Sequence, residues 1–229
     1  MEGLNVAMMK NRLKFDTIIF DLDGTLVDTV SDVMVCVNLV REEWSLPPIS
    51  RVEAQRAIGP GPQRFVEAVL PPELHSRSKK FIRSYRDLYQ SNLLDQTRLF
   101  PGVLELLQEL QQLKIKMGVA TNKPRFFSQR ILEGLDCQKF FSLLLGPEDV
   151  VKHKPQPDIV LKAVELTHSS LERTLMVGDT DNDIISGQNA GVKTCAVTYG
   201  YGAEDVLRAL QPDFLVSQPH EIMTIVNGR

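Results

Sequence analysis

Asp21 and Asp23 follow the apolar run Thr17–Phe20 and stand two residues apart, so an extended backbone sends both carboxylates to one side. Gly24-Thr25 then turns the chain. An Asp-x-Asp-Gly alone also reads as a plain loop, and an EF-hand is excluded because Leu26 stands where the loop glycine is needed. A second acidic group, Gly178-Asp179-Thr180-Asp181-Asn182-Asp183, again ends an apolar run and opens a helical pattern. Its bland reading is a helix cap by Asp179 or Asp181, and it too fails as an EF-hand, with Ile184 and Ala190 at the glycine and glutamate positions. Asp183 falls one turn into that helix, behind Asp179.

Between the acidic groups lie two candidate anion contacts. Thr121-Asn122-Lys123-Pro124 closes a strand and opens a helix, offering a hydroxyl and backbone N–H groups. His153-Lys154-Pro155 places a lysine before a proline-stiffened turn, with His153 read as a solvated loop residue. Each alone is also an ordinary cap or a solvated lysine. Together they form a set, because carboxylates crowded into one crevice repel: at a dielectric of about 20, like charges about 4 Å apart cost about 4 kcal/mol. A cation makes the crowding tenable, and an all-oxygen ligand set without His or Cys points to Mg²⁺. Such an ion with Lys154 and Thr121 would attract a phosphoryl group.

The elements that must position these residues are legible as buried strands at Thr17–Phe20, Ile115–Ala120, Ser142–Leu145, Leu175–Val177, Thr194–Thr198 and Phe214–Val216. Nearly continuous apolar runs suit a parallel sheet covered on both faces. Helical patterns at Val103–Leu113, Arg125–Leu135, Asp158–Leu166 and Asp183–Ala190 alternate with them. The fold class is therefore α/β, a Rossmann-like doubly wound sheet whose ligands gather at strand carboxyl ends. From Thr29 to Leu99 no strand candidate occurs. Instead Val30, Val33, Val37 and Val40, then Phe81, Tyr85, Leu88 and Tyr89, recur at helical spacing between prolines, predicting about four helices inserted after the first strand.

Composition removes other classes. The 229 residues are 43% hydrophobic and 24% charged, with a net charge of −3 that argues against nucleic acid as a partner. No apolar run reaches the roughly 18 residues that span a bilayer, and Met1–Arg12 lacks the pattern of a secretory leader. Cys36, Cys137 and Cys195 form no CxxC pair and read as buried thiols of a reducing compartment, so a cytoplasmic location is expected, with no membrane partner. Oligomeric state, monomer or homodimer, is not encoded in any visible feature.

The segments Asp21-Leu-Asp23-Gly-Thr25, Thr121-Asn122, Lys154-Pro155 and Gly178-Asp179-Thr-Asp-Asn-Asp183 stand in the order and spacing of the haloacid dehalogenase-like (HAD) hydrolase superfamily, which the chain resembles. Within it, Asp28-Thr29, Ile58-Gly59-Pro-Gly61, Leu99-Phe100-Pro101-Gly102-Val103 and Val197-Thr198-Tyr199-Gly200-Tyr201 look like the phosphoglycolate phosphatase family. The resemblance implies a Mg²⁺-dependent phosphatase for small phosphomonoesters, 2-phosphoglycolate first among them. It makes Asp21 the nucleophile and Asp23 the general acid and base. The metal falls to the Asp21 side chain, the Asp23 carbonyl and the Asp179 side chain. Thr121, Asn122 and Lys154 are assigned to the phosphoryl group, and Asp183 to steadying Lys154 or a metal-bound water. Like charge crowding Asp23 is expected to favour its protonated form.

The same resemblance divides the chain into a catalytic core, 1–28 and 101–229, and a mobile helical cap, 29–100. Arg56, Gly59 and Arg64 are expected on the cap's inner side, Arg64 as a contact for a substrate carboxylate. Rivals within the superfamily are a pyrophosphatase and a phosphosugar mutase or phosphatase; the mutase is disfavoured because no His follows Asp28-Thr29 in Val30–Met34. A dehalogenase would not need Asp23. A phospho-accepting receiver domain, from another class, has no seventy-residue insertion.

Overall fold

The computed structural model describes residues 13–228; the opening Met1–Arg12 lies outside the described residues. Six strands form one all-parallel sheet in the order β5-β4-β1-β6-β7-β8. They are β1 (Thr17–Phe20), β4 (Lys116–Ala120), β5 (Leu143–Leu145), β6 (Thr174–Gly178), β7 (Lys193–Val197) and β8 (Phe214–Val216). Every residue of β1 and β6 is buried, as a sheet covered on both faces requires. Along β1 the pleat sends Ile18 and Phe20 into one apolar cluster and Ile19 into another on the opposite face.

On the Ile18 side pack α5 (Val103–Gln112), α6 (Arg125–Gly134) and α10 (Glu221–Val226); Leu106, Leu107 and Leu110 of α5 carry the spacing of an apolar stripe. On the Ile19 side lies α7 (Asp158–Thr167), through Ile159, Val160 and Ala163. The helix α8 (Asp181–Ala190) follows β6, and α9 (Glu204–Ala209) lies between β7 and β8. Strand order reverses about β1, with β4 and β5 to one side and β6 to β8 on the other. Such a reversal opens a crevice at the strand carboxyl ends, where Asp21, Thr121 and Asp179 are found.

Between β1 and β4 the chain makes two short antiparallel strands, β2 (Val27–Asp28) and β3 (Arg98–Leu99), and between these the helices α1 (Val30–Glu43), α2 (Arg51–Ala57), α3 (Pro62–Val69) and α4 (Ser78–Asn92). The valine-rich α1 forms despite its modest propensity because Val30, Val33, Val37 and Val40 are all buried on one face. Buried Asp32 fastens the ends of the insertion, its carboxylate accepting from the N–H groups of Gln96 and Thr97 and the Thr97 hydroxyl. The three cysteines are free and buried. Among the described residues no helix is long and apolar enough to cross a membrane.

Candidate active site

Lys154 is the hub. Its side chain is 2% exposed, and its ammonium donates to Asp21 Oδ1 at 2.8 Å, Asp183 Oδ1 at 2.6 Å and the Ala120 carbonyl at 2.8 Å. An ammonium has three protons, and these acceptors use all of them. Lys154 was expected on the phosphoryl oxygens; the geometry places it on Asp21 instead, so its charge reaches the crevice through that carboxylate. Oδ2 of Asp21 accepts no hydrogen bond among the described residues.

Asp183 is equally committed. Its Oδ1 holds Lys154, and its Oδ2 accepts from the N–H and hydroxyl of Thr180, the N-cap of α8. The cap of this helix is thus the Thr180/Asp183 box rather than Asp179 or Asp181. Asp179, at the end of β6, is fully buried; Thr25 Oγ1 donates to its Oδ1 and the Tyr201 N–H to its Oδ2. Glycines make room for it. A Cβ on Gly24, whose φ is +83°, would lie 2.6 Å from Asp179 Cγ, and a Cβ on Gly200 would strike the same side chain.

Oxygens of Asp21, Asp179 and Asp183 lie within 4.8 Å of one another, all buried, and among the described residues Lys154 is the one ammonium bonded to them. Burial, then Asp183, lift the Asp21 pKa to about 7 against the pull of Lys154. Burial, Asp183 and Asp21 together push Asp179 well above the carboxylate range. Burial alone would lower Lys154, yet Asp183 and Asp21 hold it above its ordinary value. Three carboxylates against one ammonium leave negative charge unbalanced in a dry site, and the donors are all oxygens. The residues fit a hard divalent cation.

A pH dependence follows. Because its pKa is raised from 3.8 to about 7, Asp21 holds a proton more tightly in the folded chain than in the unfolded one. Its contribution to the stability of the metal-free protein is fully present below about pH 4 and is lost as pH climbs through about 7. A cation replaces that proton, so the rise in Tm on adding Mg²⁺ should be larger at pH 8 than at pH 5. Thermal denaturation with and without Mg²⁺ checks this, and an equal or reversed shift would contradict the charge balance described.

Asp23 has different neighbours. Thr29 Oγ1 donates to its Oδ1 at 2.5 Å, and Lys123 Nζ lies 3.1 and 3.2 Å from its two oxygens. The crowding by like charge expected at Asp23 gives way to an ion pair, with both side chains under a tenth exposed. Buried Thr121 stands at the end of β4, its Oγ1 accepting from the Lys123 N–H. Asn122, expected on the substrate, spends its amide on structure: Nδ2 donates to the carbonyls of Gly59 and Lys154, and Oδ1 accepts from the Lys154 N–H. It thereby fastens the α2–α3 loop to the sheet.

Beside Asp23 opens a cavity of about 600 Å³ between α3, α4 and the start of α6. Gly59 lines it, as expected. Arg56 and Arg64 do not: both are exposed and off its wall, which α3 lines with Pro62, Gln63, Phe65 and Val66 instead. The cations that do reach the cavity are Lys123 and, on exposed α4 positions, Lys79 and Arg86.

Lys123 went unassigned from sequence, although a cation directly after Thr121-Asn122 was the available signal. In the sequence Thr29 and Tyr201 stand out only as parts of family-like motifs. The Tyr201 hydroxyl donates to Asp28 and accepts from the N–H groups of Thr29 and Val30, while its own N–H holds Asp179. One residue thus contacts both the start of α1 and the acidic cluster.

Residues 18–197 match the family model for haloacid dehalogenase-like hydrolases. A phosphoglycolate phosphatase of Aquifex aeolicus is 31% identical over 92% of this chain and 96% of its own length. An N-acetylmuramic acid 6-phosphate phosphatase of Pseudomonas aeruginosa is also 31% identical, over 94% and 96%. The crystal structure of a predicted phosphoglycolate phosphatase from Haemophilus somnus superposes with a TM-score of 0.87 at 29% identity, covering 93% of this chain and 98% of that one. With the acidic cluster at the strand ends and a match across most of its length, the chain belongs to the haloacid dehalogenase-like hydrolases.

Proposed function

We propose that this enzyme is a Mg²⁺-dependent phosphatase that hydrolyses small phosphomonoesters through a phosphorylated Asp21. The observation that carries the reading is the Asp21 carboxylate at the end of β1, anchored through one oxygen by Lys154 and leaving Oδ2 without a donor among the described residues. An anchored carboxylate with a free oxygen is oriented for attack. Asp21 and Asp179 side chains with the Asp23 carbonyl would hold Mg²⁺, and Asp183 stays behind them on Lys154. When bound, the ion supplies charge neutralisation between the carboxylate and the anionic ester.

An Asp21 oxygen forms the bond to phosphorus as the ester P–O bond breaks. The departing alkoxide takes its proton from Asp23, which enters this step as the carboxylic acid and is held in place by Thr29. Water then attacks the phosphorylated Asp21, gives a proton to Asp23 and frees phosphate and the original carboxylate. Thr121 and the N–H groups of the turn after β1 donate to the phosphoryl oxygens as charge builds. The helices α1–α4 form a cap over the core, with β2 and β3 as the hinge, and seat over the site to exclude water.

2-Phosphoglycolate, named for the Aquifex relative, is a natural first ester to assay, with a sugar phosphate for the Pseudomonas one. Release of p-nitrophenol from p-nitrophenyl phosphate should vanish in EDTA and return with Mg²⁺. Turnover that persists without metal would overturn the reading, and a single equivalent of label without turnover would indicate a receiver.

A further inference from the structure

The cavity beside Asp23 is larger and more apolar than a two-carbon acid needs. Its volume of about 600 Å³ falls within the range of roughly 300–1,000 Å³ that encloses a drug-sized ligand. Four rings form a continuous wall: Phe65 to Tyr85 at 5.0 Å between centroids, Tyr85 stacked on Tyr89 at 5.4 Å and 12°, and Tyr89 to Phe127 at 5.1 Å. The wall runs from α3 across α4 to α6, with Ile82 beside it and Asp23 at the cavity's edge. The space is present with Asn122 tying Gly59 to the sheet at 2.9 Å, as a cleft open on one side to solvent.

The charges argue the same way. A glycolate carboxylate would need a cation inside the cavity. Lys123 is bound to Asp23, with its ammonium 4.9 Å from the Tyr89 ring centroid, and Lys79 and Arg86 sit on exposed positions at the mouth. Arg64 is off the wall. The buried Tyr89 hydroxyl has no hydrogen-bond partner among the described residues.

We propose that the alcohol released by this enzyme is a bulky, apolar, ring-bearing one, with the ring against Phe65, Tyr85, Tyr89 and Phe127 and its oxygen at Asp23. This rests on the phosphatase reading of Asp21 and adds the class of substrate. Ring-on-ring contact and expulsion of water from an apolar wall supply the selectivity.

The test compares kcat/KM for 2-phenylethyl phosphate, ethyl phosphate, 2-phosphoglycolate and glucose 6-phosphate, all esters of primary alcohols, with p-nitrophenyl phosphate as the control for chemistry. 2-Phenylethyl phosphate should exceed each of the other three alkyl esters by about tenfold or more. Ile82→Trp, which takes up part of the cavity beside the rings, and Phe65→Ala, which removes part of its wall, should each cut the phenylethyl-to-ethyl ratio by about tenfold. A ratio at or below one, or a preference for 2-phosphoglycolate or glucose 6-phosphate, with p-nitrophenyl phosphate still hydrolysed, would overturn the substrate class and leave the phosphatase reading standing. No turnover of any ester would overturn both.

Discussion

Asp21→Asn is expected to lower turnover by about 10⁴-fold or more, the scale seen when a catalytic nucleophile is removed, and to abolish acid-stable labelling of the chain by phosphate. Asparagine keeps the shape of the side chain and an oxygen for Lys154, so the loss would report the missing attacking oxygen rather than a collapsed site. Stability should move the other way. Burial and Asp183 hold the Asp21 pKa at about 7, so at pH 8 the ionised side chain weakens the metal-free fold. The metal-free variant should therefore melt higher than wild type at pH 8, with the difference shrinking toward pH 4. Rapid-quench labelling and thermal denaturation read the two effects separately; retained turnover would remove the nucleophile assignment.

Lys154→Met is the second large effect. It deletes the one ammonium bonded to the buried cluster and strands Asp21, Asp183 and the Ala120 carbonyl without their donor. Breaking a buried pair by removing one partner costs about 3–5 kcal/mol, which for a chain of this size is a fall in Tm of roughly 6–20 °C. Turnover should fall with it, because Asp21 loses its anchor. The loss of stability should be smaller at pH 5, where more of the cluster is protonated, and smaller with Mg²⁺, which replaces part of the missing charge. A variant as stable as wild type at pH 8 without metal would contradict the account of Lys154 as counter-charge.

Much of this was open to inspection in the amino-acid sequence, for a physical reason. Parallel strands buried on both faces need unbroken apolar runs, so Thr17–Phe20 and Leu175–Val177, the centre of the strand Thr174–Gly178, declare themselves, and carboxylates just beyond their ends must share a crevice. Short elements carry no such pattern. The two-residue strands Val27–Asp28 and Arg98–Leu99 are set by pairing across seventy residues, and the six-residue helices α9 and α10 are too brief for periodicity. Partner choice at the site was hidden too. That Lys123 pairs with Asp23, while Lys154 spends every proton on the cluster and a carbonyl, depends on which strand ends are neighbours. Arg64 looked suited to a substrate carboxylate by charge, but α3 turns Phe65 and Val66 inward and leaves the guanidinium outside.

The close fit of glycines around Asp179 sets a limit on how this enzyme can be altered. Gly24 and Gly200 leave no space for even one added carbon near that carboxylate, so an engineer has no freedom to retune the ion pocket by substitution there. Variation is affordable only on the far side, where α3 and α4 face open volume. New specificities should therefore be sought by diversifying Phe65, Val66 and Ile82 while the strand-end residues are held constant.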